Sequence, residues 1–312
     1  MRIVVALFLT ALAACTAPTG ENARSFPPNE PLAIRITSDA ASKGAVDLLV
    51  ADVKSRDAAG RIDWSAPPAL TVAAALVTGD TALVPGAFRL AGNDGAYTVT
   101  APDLLGVQYG IYELLERAGI VFVHPEQTVF PAALCVTCIG QVDEAAKPTY
   151  TMRGTHVHTM HPLELESTLL GTGPEAERRF QRYLGWLIAR RQNYVQWALL
   201  RTVDGDAWLA HAKQLVGYAH ARGFTIGISA PIAFRQQNSF FLYDGESAVP
   251  ATTQIAKSVD WLMQAGWDRL NVEMGASEFI DVDDKGQVAW LDFLAGYLDA
   301  KYPGVRTATK VH

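Results

Sequence analysis

From Tyr150 onward, short apolar runs alternate with stretches whose apolar residues recur every three or four positions. The runs Tyr150–His158, Tyr194–Leu200, Thr225–Ile232, Arg269–Met274 and Arg306–His312 read as short buried strands. Between them, Phe180, Tyr183, Leu184 and Leu187 share one helical face, and Trp208, Leu209, Ala212, Leu215, Val216 and Ala219 share another. Ile255, Val259, Leu262 and Met263 mark a third helix, and Leu291, Leu294 and Leu298 a fourth. Gly223, Gly266 and Gly304 follow three of these helices, where a left-handed residue closes the last turn. This alternation predicts parallel strands joined by crossover helices. Five strands and four helices suit an incomplete (β/α)8 TIM barrel, since the stretch falls short of the about 250 residues of a closed one. A doubly wound open sheet is the structural alternative, but no Gly-rich phosphate loop supports it.

Residues 32–147 have a different rhythm and predict a small α/β domain, with the barrel segment occupying 148–312. Leu32–Thr37 alternates like a strand, and Val46, Leu49, Val50 and Val53 fall on one helical face. Leu70–Val77 and Ala96–Thr100 read as strands separated by Gly/Asp turns. The spacing of Val107, Ile111, Leu114, Leu115 and Ala118 predicts a helix over Leu104–Ala118, stopped by Gly119, with a strand following at Ile120–Val123.

The N-terminus is a targeting segment rather than part of the fold. Arg2 precedes the apolar run Ile3–Ala14, too short to span a bilayer but suited to a secretory signal. Its ending, Leu12-Ala13-Ala14-Cys15, resembles a bacterial lipobox, which implies residues 1–15 as a lipoprotein signal and Cys15 as the lipid attachment site. Residues 16–31 are polar and Pro-rich and read as a flexible tether. The expectation is an exported protein, lipid-anchored to the bacterial cell envelope. Cys135 and Cys138 form a lone CxxC, which in an oxidising compartment reads as a small structural disulfide or as nothing chemical. A net charge of −6 and the lack of any Lys/Arg run argue against nucleic acid as a partner.

The segment Ala96–Pro125 carries a strand, a Gly-x-x-Tyr-Gly helix, Leu-Leu-x-x-x-Gly and an aromatic strand. In this it resembles the domain that precedes the barrel in glycoside hydrolase family 20, the β-hexosaminidases. Family 67 α-glucuronidases and family 84 hexosaminidases have a related domain. The likeness extends to Pro148-Thr149-Tyr150-Thr151-Met152-Arg153-Gly154, where it implies that Arg153 grips sugar hydroxyls, and to the Arg191–Trp197 stretch. On the fourth predicted barrel strand, Glu273-Met274-Gly275-Ala276-Ser277-Glu278 aligns with the family's His-x-Gly-Gly-Asp-Glu. The resemblance makes Glu278 the general acid/base and Glu273 a second carboxylate or a sugar ligand. Catalytic groups of barrels stand at the C-terminal ends of the strands, which suits both residues. Ser277 replaces the family's Asp, His158 stands where another Asp is expected, and Ala198 replaces a His. His156, His158 and Trp197 complete the candidate substrate-binding set; Trp197 either stacks on a sugar or fills the core.

The leading expectation is therefore a glycosidase acting on an oligosaccharide or glycan, with no cofactor and no metal. Its main alternative is a glycan-binding lipoprotein without catalysis, which the departures from the family pattern favour. A second alternative is a metal-dependent hydrolase of amidohydrolase type, suggested by His156-x-His158, His161 and His312. A sheet of five strands would leave open edges, so the barrel is expected to continue in a C-terminal remainder or to need a partner subunit. The loop at Gln236, Gln237 and Asn238 is a candidate substrate rim.

Overall fold

The computed structural model describes residues 30–79, 83–157, 163–233, 238–245, 247–273 and 284–310. The elements run β1 (Leu32–Ser38), α1 (Lys43–Arg56), β2 (Ile62–Asp63), β3 (Leu70–Leu76), β4 (Phe88–Asn93), β5 (Ala96–Ala101), α2 (Leu104–Arg117), β6 (Val121–His124), β7 (Gln127–Val129) and β8 (Val142–Ala146). They continue with β9 (Gly154–Val157), α3 (Leu163–Leu170), α4 (Pro174–Ala189), β10 (Tyr194–Ala198), α5 (Gly205–Ala221), β11 (Thr225–Ser229), α6 (Ala251–Met263), β12 (Arg269–Glu273), α7 (Asp284–Lys301) and β13 (Arg306–Lys310).

The N-terminal elements build a six-stranded mixed sheet in the order β2-β1-β3-β5-β4-β8, with β6 and β7 as a separate hairpin. β4 runs antiparallel to both β5 and β8. Helix α2 begins at Asp103, whose carboxylate accepts the Gly106 N–H at 2.7 Å, a side-chain N-cap. The helix lies unusually close to the sheet: a Cβ on Gly106 would come 2.2 Å from the Ala87 carbonyl oxygen, and one on Gly110 2.4 Å from Val99. Those two glycines let α2 bury Val107, Ile111, Leu114 and Leu115 completely. Cys135 and Cys138 are joined in a disulfide.

The C-terminal elements build a five-stranded sheet, entirely parallel, in the chain order β9-β10-β11-β12-β13. The residues pair level by level: His156, Gln196, Gly227, Arg269 and Arg306 form one row, and Ala198, Ser229, Asn271 and Ala308 the next. Alternation along the strands sorts side chains onto two faces. Val195, Trp197, Ile226, Ile228, Leu270 and Val272 are buried on the face covered by helices. Trp197 shows the arrangement directly, with its ring 6.1 Å from Phe180 of α4 and 5.1 Å from Trp267. The opposite face carries Tyr194, Gln196, Ser229 and Asn271.

A buried polar joint ties the two sheets together. Arg56 of α1 donates from Nε to Asp52 at 2.9 Å, from Nη1 to the Pro125 carbonyl at 2.8 Å and from Nη2 to the Arg182 carbonyl at 2.5 Å. Tyr112 donates to the second oxygen of Asp52 at 3.1 Å. Arg222, fully buried at the end of α5, donates to Gln108 of α2 at 2.5 Å.

Candidate functional site

The C-terminal ends of β9–β13 are where chain reversals bring side chains of successive strands together. Glu273 is the last residue of β12 and pairs in register with Lys310 of β13. Glu278, His158, His161, Gln236, Gln237, Cys15 and His312 lie outside the described residues. Asn238 is described: it has a left-handed backbone (φ 55°), and its carbonyl accepts the Arg201 N–H at 2.9 Å.

Below Glu273 the polar face is built of buried groups. Gln196, Ser229 and Asn271 are nearly inaccessible, and Asn271 Nδ2 donates to Ser229 Oγ at 3.4 Å. Tyr194 lies across Gly227, where an added Cβ would come 2.6 Å from its hydroxyl, and donates that hydroxyl to Gln196 Oε1. Arg269 sits 5.5 Å over the Tyr194 ring. Burial pushes the Tyr194 phenol up to about 12, against the opposing pull of Arg269, so it stays protonated and donates. Gln196, Ser229 and Asn271 were missed in the sequence. Their signal was a polar residue inside each apolar strand: Gln in YVQWA, Ser in TIGIS and Asn in RLNVE.

Of the predicted substrate ligands, His156 stands on this face, in the row of Gln196. It also lines an open groove of about 670 Å3 along β9, the outermost strand of the sheet, together with Tyr183 and Trp186 of α4 and His124 and Glu126 of the β6–β7 hairpin. Trp197 and Arg153 stand elsewhere. Trp197 is 1% exposed and packs among Phe180 and Trp267, because its neighbour Gln196 takes the open face and alternation sends Trp197 to the helices. It cannot stack on a sugar there. Arg153 precedes β9, at the opposite end of the strands from Glu273. Its guanidinium is turned to the N-terminal part, donating to the carbonyls of Arg191 at 2.7 Å and Tyr150 at 2.6 Å and to the Tyr109 hydroxyl at 3.3 Å. It brackets the start of the parallel sheet.

Among the described residues no three His, Cys, Asp or Glu groups stand together to hold a metal ion, and no helix is long and apolar enough to cross a membrane.

No family model matches the sequence, and no curated protein matches it. Solved structures do match. The β-N-acetylhexosaminidase of family 20 from Streptomyces coelicolor A3(2) superposes at a TM-score of 0.59, with 14% identity, over 93% of this chain and 63% of that one. This chain has the fold of the family 20 β-hexosaminidases. A mutant β-hexosaminidase from Streptomyces plicatus, solved with its product GlcNAc, gives 0.57 at 14% identity, again over 93% and 63%. The family 20 chitobiase of Flavobacterium johnsoniae gives 0.53 at 12% identity, over 93% of this chain and 50% of that one. The chain thus spans between half and under two thirds of the length of these structures.

Proposed function

We propose that this protein acts on glycans as a glycoside hydrolase, with Glu278 as general acid/base and Glu273 beside it as a second carboxylate or a sugar ligand. The observation that supports the reading is the fold: 93% of the chain superposes on the β-hexosaminidases. On this reading residues 32–147 are the small domain in front, and β9–β13 are the first five strands of a (β/α)8 barrel. Glu273 then ends the fourth strand and Glu278 follows it by five residues, which suits acid/base chemistry on a glycosidic bond. The S. plicatus structure holds GlcNAc, and an N-acetylhexosamine is the first sugar to try. His156, which lines the groove along β9, is the proposed histidine contact to such a sugar. The protein is exported and lipid-anchored through Cys15; the Cys135–Cys138 disulfide suits an oxidising compartment.

The test is Glu278→Gln in the full-length protein, assayed on an aryl β-N-acetylglucosaminide. Loss of a general acid lowers the rate about 10²–10⁴-fold while GlcNAc binding persists. Undiminished hydrolysis would overturn the assignment. Ser277, standing where the family has an Asp, favours a second reading, a glycan-binding lipoprotein without catalysis. Calorimetric sugar binding by the wild type with no turnover would establish it.

A further inference from the structure

We propose that the groove lined by Trp261 and Phe240 is a separate subsite for one sugar ring of an oligosaccharide, extending the strand-end site outward; this rests on the glycan reading above. The connection after β11 returns across the ends of two strands. The Phe240 N–H donates to the Leu199 carbonyl at 2.7 Å, and the Leu242 N–H donates to that of Pro231 at 3.0 Å. This seats Phe240 beside α6, at the same end of the sheet as Glu273, over a groove of about 420 Å3.

The floor of the groove is aromatic and held still. The Trp261 and Phe240 rings lie 5.3 Å apart, tilted by 33°, and both residues are half-buried and line the groove. Behind Trp261 stand Trp208, at 6.0 Å between rings, and Gly205, where an added Cβ would come 3.1 Å from the indole. The walls are tied before any ligand arrives. Gln254 Nε2 donates to the Val249 carbonyl at 2.8 Å, and Ser258 Oγ donates to that of Leu242 at 3.1 Å. At the rim, Lys257 is exposed and has no ion-pair partner among the described residues. A preformed concavity with an aromatic floor and a few polar rim groups suits a ligand with one apolar face and a polar edge. A pyranose ring has that shape: axial C–H bonds on a face, hydroxyls around the edge.

The experiment is calorimetric titration of the full-length wild type, Trp261→Ala and Thr253→Trp with GlcNAc and with chitotriose. Thr253 lines the groove on an exposed turn of α6, so Thr253→Trp fills the groove without touching the core. The wild type should bind chitotriose more tightly than GlcNAc. Both variants should lose about tenfold in chitotriose affinity and keep their GlcNAc affinity. Unchanged chitotriose binding by Thr253→Trp, or equal losses for both sugars, would overturn the subsite and leave the glycan reading standing. A wild type that binds GlcNAc and chitotriose equally would do the same. Binding of neither sugar by the wild type would overturn both.

Discussion

Removing the carboxylate at the centre of the buried joint should cost more than any other single change between the two sheets. The Asp52 and Arg56 side chains are each 2% exposed, so water cannot replace a lost partner. In Asp52→Ala, Arg56 keeps the Pro125 and Arg182 carbonyls but loses its counter-charge, and the Tyr112 hydroxyl loses its acceptor. Leaving a buried charge unpaired costs about 3–5 kcal/mol, against a total stability of about 5–15 kcal/mol for a folded domain. The double change Asp52→Leu with Arg56→Met removes both charges and should cost less than Asp52→Ala alone. Urea unfolding reads both quantities. It also reads coupling, because six of the seven tryptophans lie at or after Trp186 and only Trp64 precedes them. Tryptophan emission therefore follows mainly the parallel sheet, while circular dichroism follows the whole chain. In the wild type the two midpoints should coincide, and in Asp52→Ala they should separate as the joint loosens. A cost for Asp52→Ala below about 1 kcal/mol would refute the reasoning, since it would mean that the pair is solvated.

Two further outcomes follow from the same geometry. Trp197→Ala should destabilise by about 3–5 kcal/mol, as for other buried large-to-small changes, while the folded protein keeps its sugar affinity; lost affinity at full stability would return the ring to the site. His220 shares a hydrogen bond with Asp268 at 3.1 Å, which raises its pKa above the ordinary 6.5. A raised folded-state value means that the contribution is complete below the unfolded value and is lost as pH rises through the folded one. The pair is more than one third exposed, so His220→Gln should lower stability by no more than about 1 kcal/mol near pH 5.5 and by almost nothing near pH 9; equal penalties at the two pH values would sink the idea.

The sequence revealed elements wherever burial is one-sided or spacing is long. Helix α2 was legible because Val107, Ile111, Leu114 and Leu115 repeat on one face between a capping Asp103 and Gly119. The five parallel strands were legible from their apolar runs, although β9 begins only at Gly154. Tyr150 and Met152, 72% and 51% exposed, belong to an unpaired lead-in, because pairing with β10 starts where Gly154 meets Tyr194. Strand β4 went unread despite the Asp94-Gly95 turn joining it to β5, a hairpin signal of the ordinary kind. Strand β8 is nearly invisible: VDEAA has one buried side chain, as an edge strand in solvent permits. The site was harder. In YVQWA both faces of the strand are buried, so hydrophobicity could not say whether Gln196 or Trp197 faces the helices. Of the two readings open for Trp197, its burial supports core filling.

The place of Gln196 points to what the polar face requires. A sheet face sealed by apolar packing has no use for Gln196, Ser229 and Asn271, each of which loses water on burial and must recover it in hydrogen bonds. The described residues give the Asn271 side chain one partner, Ser229 at 3.4 Å, and give Gln196 the Tyr194 hydroxyl. An amide offers two donors and an acceptor with two lone pairs. Side chains of this kind suit a ligand presenting many hydroxyls, and they serve a binding protein as well as an enzyme. What separates the two is the carboxylates beyond them. The polar face can account for sugar recognition by itself, but bond cleavage needs an acid that gives up a proton, the role proposed above for Glu278.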